Sequence, residues 1–390
     1  MGSLQIGLVT GEYPPDQGGV GDFTREVAQA LARQGHGVHV ITTGSQGTVA
    51  SSDGTLFVHR DVPRWDWSCW RHLSDLSAAM GLDVVNIQYQ AAAYQMHPAI
   101  NLLPWRLRRR RRPAVVVTFH DLRVPYLFPK AGPVRWQAVF ALARWADGVI
   151  VTNPEDERQL AATPLTTPVR RIPIGSNIAP SLPDGFERDE WRRQWGVGAG
   201  ELLMGYFGFL NERKGGQDLI RVLAGLLNRG VSAHLLLIGG EVGTSDPTNR
   251  AYAERVDNLV REFDLSDRVH RTGYVSAGEV SACLEAVDVC VLPYQDGASL
   301  RHGSLHACLA HKRPIVTTCP TLSIPEFRDE ESMLLVRRGD VAALVNAVAR
   351  VWSDKNLRGR LEVGAARLAT EFTWERISSR TAGFFVELVS

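Results

Sequence analysis

Short apolar runs rich in β-branched residues alternate with amphipathic stretches, and this alternation passes along the chain twice. In the first half the runs fall at 4–10, 37–43, 82–88, 114–119 and 147–152; in the second at 202–207, 233–239, 287–293, 314–318 and 333–336. Runs this continuously apolar suit parallel strands buried on both faces. Between them lie helical patterns such as 22–34 and 216–229. Strand alternating with helix predicts an α/β fold with a parallel sheet. The pattern breaks at 173–200, where PIGSNIAPSLPDG gathers Pro, Gly and Asp. That break reads as a linker. At about 150 residues per domain, a chain of 390 divides naturally in two. The expectation is two Rossmann-like, doubly wound domains, at 1–180 and 195–372, facing one another across a cleft. Ligands then bind beyond the carboxyl ends of the strands.

Composition narrows the partners. Lys+Arg 43 against Asp+Glu 42 leaves a formal charge of +1, which argues against nucleic acid as a partner. Only four of the basic residues are lysines (Lys130, Lys214, Lys312, Lys355), so a lysine inside a motif stands out. The five cysteines have no CxxC spacing and read as reduced thiols of a cytoplasmic protein. No apolar run approaches the ~18–20 residues of a membrane span, and Met1-Gly2-Ser3 does not open a signal peptide.

Four candidate sites stand at strand ends. After the first strand, Gly11-Glu12-Tyr13-Pro14-Pro15 leads to Gly18, Gly19 and Gly21 and directly into a helix. Backbone N–H groups there can point at an anion without side-chain obstruction; the alternative is a plain connection. The spacing is neither a dinucleotide fingerprint nor a Walker A loop. His120-Asp121 follows a strand of three valines, where catalytic groups usually lie in this architecture; the alternative is a polar cap on the sheet edge.

In the second half, Arg213 and Lys214 precede Gly215-Gly216 and a helix, an arrangement suited to two cations closing on a diphosphate. Pro293 through His306 forms the fourth candidate: a strand end, a loop with Asp296, Gly297, Ser299, Leu300 and Arg301, and a helix starting at Gly303 or Ser304. This too is an anion nest at a helix N-terminus. His302 and His306 share a helix face near Cys308 and His311, but no HExxH glutamate accompanies them, and the reading is that no metal is held. Two further features read first as surface and core. Trp105 through Arg112 is a basic helix end that could attract anionic lipid, and Trp65, Trp67 and Trp70 could line an acceptor groove.

With anion loops in both halves, the chain resembles the family 4 retaining glycosyltransferases of GT-B fold. The resemblance spans nearly the whole chain and rests on GEYPPDQGGVGDF, VVVTFHDL, GFLNERKGGQDLI, and HACLAHKRPIVTT followed by PEF. It implies a donor-binding role for Gly18, Gly19 and Gly21, and places His120 by the transferred sugar. Lys214 matches the family's phosphate-binding lysine; Phe209 stands at the arginine position, for which Arg213 substitutes. Where the family has an E-x7-E pair, this chain has Ala298 and His306, so Asp296 is the acid nearest the first position. Ser299, Leu300 and Arg301 would offer backbone amides to the diphosphate, and Glu326 matches a later family glutamate. Residues 373–390 resemble the helix that returns to the first domain.

The resemblance implies transfer of a sugar from a UDP- or GDP-linked donor to an acceptor hydroxyl, with retention and without a metal or other cofactor. Arg213, Lys214 and helix N-termini would carry the departing diphosphate. The acceptor could be a small molecule, a glycan or a lipid-linked sugar, with membrane association a possibility. The rival expectations are an inactive nucleotide-sugar-binding homologue and another GT-B enzyme, a phosphorylase or an epimerase.

Overall fold

The computed structural model describes residues 2–16, 18–44, 47–51, 54–108, 113–122, 132–240 and 247–390. Of the arginine run only Arg108 is among them; positions 109–112 lie outside the described residues. The chain forms two compact units, Met1–Gly175 with Thr373–Ser390, and Ser176–Phe372.

The first unit holds β1 (Gln5–Thr10), α1 (Gly19–Arg33), β2 (Gly37–Thr43), β3 (Gly47–Ala50), β4 (Leu56–Val62), α2 (Cys69–Ala79), β5 (Val84–Tyr89), α3 (Leu103–Arg108), β6 (Ala114–Phe119), α4 (Gly132–Trp145), β7 (Gly148–Val151), α5 (Pro154–Ala161) and β8 (Val169–Arg171). The second holds α6 (Arg188–Gln194), β9 (Leu202–Phe207), α7 (Gly216–Leu227), β10 (Ala233–Ile238), α8 (Pro247–Glu262), β11 (Val269–Arg271), α9 (Ala277–Ala286), β12 (Val289–Leu292), α10 (Gly303–Ala310), β13 (Ile315–Thr318), β14 (Leu334–Val336), α11 (Val341–Ser353) and α12 (Lys355–Ala369). Then α13 (Trp374–Val389) rejoins the first unit.

The sheet orders are β3-β4-β2-β1-β5-β6-β7-β8 and β11-β10-β9-β12-β13-β14. Every strand pair is parallel except β3 with β4. Winding therefore reverses between β1 and β5 in one sheet and between β9 and β12 in the other. Neighbouring loops part at such a point and leave room for a ligand.

All ten strands read from the apolar runs are present within a residue or two. The four missed, β3, β4, β8 and β11, are short or polar: β3 is exposed throughout, and β4 carries His59, Arg60 and Asp61. β3, β8 and β11 are edge strands, where polar residues are expected. Helix α1 begins at Gly19, not at residue 22, because the glycine loop itself forms its first turn. The expected linker is largely part of the second unit. Arg192 on α6 is buried and donates to the Ala286 carbonyl (3.0 Å), to Asp288 (3.0 Å) and to the Glu201 carbonyl (2.6 Å). Those bonds fix α6 to the sheet.

In the first unit one face of the sheet packs on α1 and α13, through Val27, Leu31, Ile377, Phe384 and Phe385. Gly148 in β7 makes room for α13, since a Cβ there would lie 2.8 Å from the Phe384 ring. In the second unit Leu219, Leu223 and Leu226 of α7 and Leu344, Val348 and Val351 of α11 share a core with the strands.

Each sheet also holds a pair of hydrogen-bonded histidines, His39 Nδ1 to His59 Nε2 (3.0 Å), both buried, and the buried His234 Nδ1 to the half-buried His270 Nε2 (2.9 Å). One ring in such a pair must be the acceptor, so the doubly protonated pair is excluded. Burial lowers all four pKa values, that of His39 to about 4. An unfolded histidine binds its proton near pH 6.5. The contribution of His39 is then full above pH 6.5 and falls between 6.5 and about 4, where its unfolded form takes up the proton first, and the other three act in the same direction. Urea unfolding at pH 7.5, 6 and 5 should give steadily lower midpoints; a flat series would remove the histidines from the account.

Gly364 provides a second test. It lies within α12, where alanine is the better helix former by about 1 kcal/mol. Its Cβ would stand 1.8 Å from the Glu331 carbonyl oxygen, a backbone atom. Gly364→Ala should therefore lower Tm, against the propensity, and a raised Tm would show that the 330s loop moves aside freely.

Candidate active site

In the second unit the site forms at the reversal between β9 and β12. β9 ends at Phe207 and the chain turns at Gly208, with φ of +119°. Asn211 then accepts the Lys214 N–H (3.1 Å) and caps a single 3-10 turn, Glu212–Lys214. Gly215 follows in the left-handed region, φ +72°, where a Cβ would stand 2.1 Å from the Pro293 carbonyl oxygen. Only glycine lets the lysine loop lie against the end of β12.

That geometry turns the half-buried Lys214 inward. Its Nζ lies 3.1 Å from where a Gly208 Cβ would be, with Ser304 Cβ 3.8 Å from the same point. Burial lowers the Lys214 pKa, and the nearby Asp296 carboxylate opposes the shift. Arg213 behaves differently: its side chain is exposed, and its carbonyl accepts the Gln295 N–H (2.7 Å).

Gln295 also donates from Nε2 to Asp218 (2.7 Å) and to the Pro293 carbonyl (3.1 Å). It thereby joins the loops after β9 and β12. Asp296 follows in a turn closed by Gly297 N–H to Tyr294 O (3.2 Å), and His302 Nε2 stands 3.9 Å from Asp296 Oδ1. The His302 ring lies against Tyr294 at 3.8 Å between centroids, and the Tyr294 hydroxyl meets Ser304 Oγ (2.8 Å).

Two helices begin at this point, α7 after Gly215 and α10 after His302; neither N-cap residue bonds its helix through a side chain, but at α7 the Gln217 N–H donates to the Tyr252 hydroxyl (3.0 Å). α5, α9, α11, α12 and α13 are capped by Asn153, Ser276, Asp340, Asp354 and Thr373, whereas α1, α2 and α6 share the lack of a bond from the cap residue's side chain. Uncapped N–H groups beside a lysine make a strong seat for a phosphate.

The loop residues divide. Ser299 and Leu300 are buried, and Arg301 is half-buried. His306 is 1% exposed, and burial lowers its pKa to about 4. Its Nε2 lies 2.9 Å from the Leu300 carbonyl, an acceptor, so Nε2 carries the proton. Where the family pattern has its second glutamate, this chain therefore holds a neutral ring that pins the loop from beneath. Ala298, at the first position, is buried too. Glu326 is half-buried between the buried Ile324 and Phe327. The three histidines around Cys308 face different partners: Tyr294 for His302, Leu300 for His306, Ser281 (2.7 Å) for His311. Among the described residues no group of three or more His, Cys, Asp or Glu is placed to hold a metal ion.

In the first unit, His120 follows β6 with its ring edge-on to Phe23 at 4.7 Å, and burial lowers its pKa to about 3. Its Nε2 meets Gln88 Oε1 (2.9 Å), an acceptor, so that nitrogen is protonated. Gln88 in turn donates to Asn86, which donates to Thr118 Oγ1 (2.9 Å). This polar ladder on β5 and β6 is not foreseen from the sequence, although Asn86 and Gln88 two apart in an apolar run are the available signal. The glycine loop holds a second surprise. Glu12 Oε1 accepts the N–H groups of Val20 (3.0 Å) and Gly21 (3.3 Å), and a Cβ on Gly18 would lie 2.1 Å from it. The anion at the N-terminus of α1 is the chain's own carboxylate. Gly19 stands clear of it.

The profile of Glycosyltransferase Family 4 matches residues 17–179, and that of Glycosyl transferases group 1 matches residues 201–354. Among curated relatives, the D-inositol 3-phosphate glycosyltransferase of Corynebacterium diphtheriae is 25% identical over 92% of this chain and 87% of its own. That of Corynebacterium jeikeium is 26% identical over 62% of this chain, and the match spans 58% of the relative's length. A GDP-mannose-dependent alpha-(1-6)-phosphatidylinositol monomannoside mannosyltransferase of Mycobacterium tuberculosis is 21% identical over 97% of both chains. Sucrose-phosphate synthase from Thermosynechococcus elongatus superposes with a TM-score of 0.74 at 24% identity over 99% of both chains. HepE of Anabaena in complex with UDP gives 0.74 at 16% identity, over 98% of this chain and all of its own.

The geometry separates the two cations. Lys214→Ala should weaken nucleoside diphosphate binding by about 10- to 100-fold, the loss of one charge-assisted bond, while Arg213→Ala, at an exposed side chain, should cost less. Calorimetric titration of both variants with UDP and GDP checks the order; equal losses would assign the phosphate to both.

Proposed function

The chain belongs to glycosyltransferase family 4 and has the GT-B fold, and from that premise we propose that it transfers a sugar from a nucleoside diphosphate sugar to an acceptor hydroxyl with retention of configuration. The observation that carries this reading is the convergence of Lys214 with the start of α10, whose cap residue makes no side-chain bond to it, beside the start of α7. The bond from the anomeric carbon to the diphosphate breaks first, and both electrons leave with the phosphate oxygen. The ammonium and the aligned N–H groups stabilise that charge as fixed dipoles. Arg213 adds a second cation at the rim. The acceptor oxygen then bonds to the same face of the anomeric carbon, and its proton passes to the departing phosphate oxygen. No protein nucleophile and no metal enters this scheme.

Asp296 takes the sugar's hydroxyls as a hydrogen-bond acceptor. His120 presents a neutral imidazole at pH 7, fit to hydrogen-bond a sugar hydroxyl and not to carry charge. The backbone around Ser299, Leu300 and Arg301, held by His306, keeps the start of α10 in place. UDP in HepE and GDP-mannose in the mycobacterial relative support a UDP- or GDP-linked donor. A second reading, a nucleotide-sugar-binding homologue without turnover, is favoured by one observation: Ala298 and His306 bring no carboxylate to the two family glutamate positions.

The deciding experiment incubates the protein with a panel of UDP- and GDP-sugars in excess chelator, without acceptor, and follows sugar release by NMR. Slow hydrolysis of one donor, with the initial sugar in the donor's own anomeric configuration, is the expected outcome. Inverted product, or turnover only after Mg²⁺ or Mn²⁺ is restored, would overturn the mechanism. Donor binding without release would establish the second reading.

A further inference from the structure

The segment expected to be a linker, once folded down as α6, lines a cavity of about 480 Å³ in the second unit that the proposed reaction does not use. Gly200, Asp288 and Arg313, which stand just before β9, β12 and β13, line it as well. Trp352 of α11 and Arg358 and Glu362 of α12 complete it. The cavity therefore lies at the amino ends of these strands, whereas Lys214 and the loop 293–302 follow their carboxyl ends. At about 3.3 Å per residue, the six residues of β9 put the two places on the order of 20 Å apart.

Besides Arg192, which holds α6 to the sheet, three guanidinium groups line this space, and none has all its donors engaged. Arg188 donates from Nε to the Glu285 carbonyl (3.1 Å) and from Nη2 to Asp288 (2.6 Å). Arg313 donates from Nε to the His311 carbonyl (2.8 Å), and its Nη2 lies 3.1 Å from Glu285. Arg358 donates from Nη1 to the Trp352 carbonyl (3.3 Å), with Cζ 5.9 Å from the centre of the indole. Among the described residues, Nη1 of Arg188 and of Arg313 and Nη2 of Arg358 make no bond, and Arg358 has no carboxylate partner. Asp288 has no oxygen to spare for them: Oδ1 takes Arg188, and Oδ2 takes Arg192 (3.0 Å) and the Leu203 N–H (2.8 Å). Two of the three are held in place by ion pairs of their own, so their forks are fixed before any anion arrives. The rest of the lining says what else an occupant must carry. Asp189 and Glu362 form no ion pair among the described residues, and an ionised carboxylate only accepts hydrogen bonds. A bare anion would be repelled by them, whereas hydroxyl groups would satisfy them. The half-buried Trp352 adds an apolar wall.

We propose that this cavity is a second small-molecule site, one that takes a phosphorylated sugar. The phosphate meets Arg188, Arg313 and Arg358, the ring lies along Trp352, and hydroxyls donate to Asp189 and Glu362. The volume is of the size that encloses such a molecule. Binding here makes and breaks no covalent bond. It shares no residue with the donor loops, so it stands or falls separately from the transfer reaction.

The test is calorimetric titration of the full chain with glucose 6-phosphate, mannose 6-phosphate and fructose 6-phosphate, beside free glucose and inorganic phosphate. Expected are binding of at least one sugar phosphate, inorganic phosphate weaker by about tenfold or more, and no binding of glucose. Arg358→Gln keeps most of the stem on Trp352 and removes the fork; it should weaken the sugar phosphate by about tenfold or more, with circular dichroism unchanged. Because α12 can lose packing there, Arg188→Gln, at a side chain 43% exposed, serves as a second variant with the same expected loss. Glu362→Ala should weaken the sugar phosphate and not inorganic phosphate. Lys214→Ala should leave the sugar phosphate unaffected. A loss in Lys214→Ala would put the ligand on the donor loops and overturn the proposal. So would failure of all three sugar phosphates to bind, undiminished binding by both arginine variants, or glucose binding as tightly as its phosphate.

Discussion

A parallel strand cannot turn back on its neighbour; it must be followed by a crossover that climbs over one face of the sheet. Everything described here depends on that constraint. Crossovers that go one way and then the other bury both faces, and where they change sides two loops part. At the second unit's change of side, between β9 and β12, the departing helices α7 and α10 start together. The first N–H groups of a helix have no partner within it, and at α7 the Tyr252 hydroxyl accepts one of them, that of Gln217. Glycine at 208, 215 and 297, each with positive φ, lets the loops close on one another. The proposed phosphate seat is thus a consequence of topology, and on that proposal Lys214 sharpens it.

The two units resolve the same topological opening differently. In the second, Lys214 stands near Ser304 at the start of α10, while in the first Glu12 occupies the start of α1. Beside it the ladder from His120 through Gln88 and Asn86 to Thr118 takes a polar path through a sheet that is otherwise apolar. Satisfied networks of this kind are rigid, and breaking one member leaves its partners buried without compensation. On the proposed function, one unit receives charge. The other supplies its own and holds fixed, uncharged hydrogen-bonding groups.

Much of this is legible in the sequence. Central strands announce themselves because burial on both faces demands unbroken apolar runs. Edge strands do not, since a strand open to water carries residues that serve solubility as well as pairing, and β4, next to the edge, hides its pairing behind His59, Arg60 and Asp61. The loops at 208–216 and 293–304 are readable because glycines that follow an apolar run and lead into a helix mark a turn open to an anion, and in the first of them a scarce lysine stands beside those glycines. What cannot be read are contacts made by residues distant in sequence or ambiguous in role. Nothing in the order of residues says that Glu12 bends back over Gly18, or that His306 faces the Leu300 carbonyl and not a ligand. The linker misleads for a similar reason: its Pro, Gly and Asp spell flexibility, while the anchor that folds it down, Arg192 on Asp288, spans 96 positions.

The path of the chain has a bearing on synthesis. The first unit is left at Gly175 and re-entered at Thr373, and its core takes Ile377, Phe384 and Phe385 from that late segment. On a ribosome, β1 through β8 emerge long before the helix that covers one face of their sheet. The whole of Ser176–Phe372 must appear in between, with its core complete in itself. The half made second can therefore finish folding first, while the half made first waits with the seat of Phe384 uncovered. Such a nascent sheet is apolar, slow to close and exposed to mispairing. A translational pause or a truncation before α13 would harm the amino-terminal half of this protein more than the part in which it occurred.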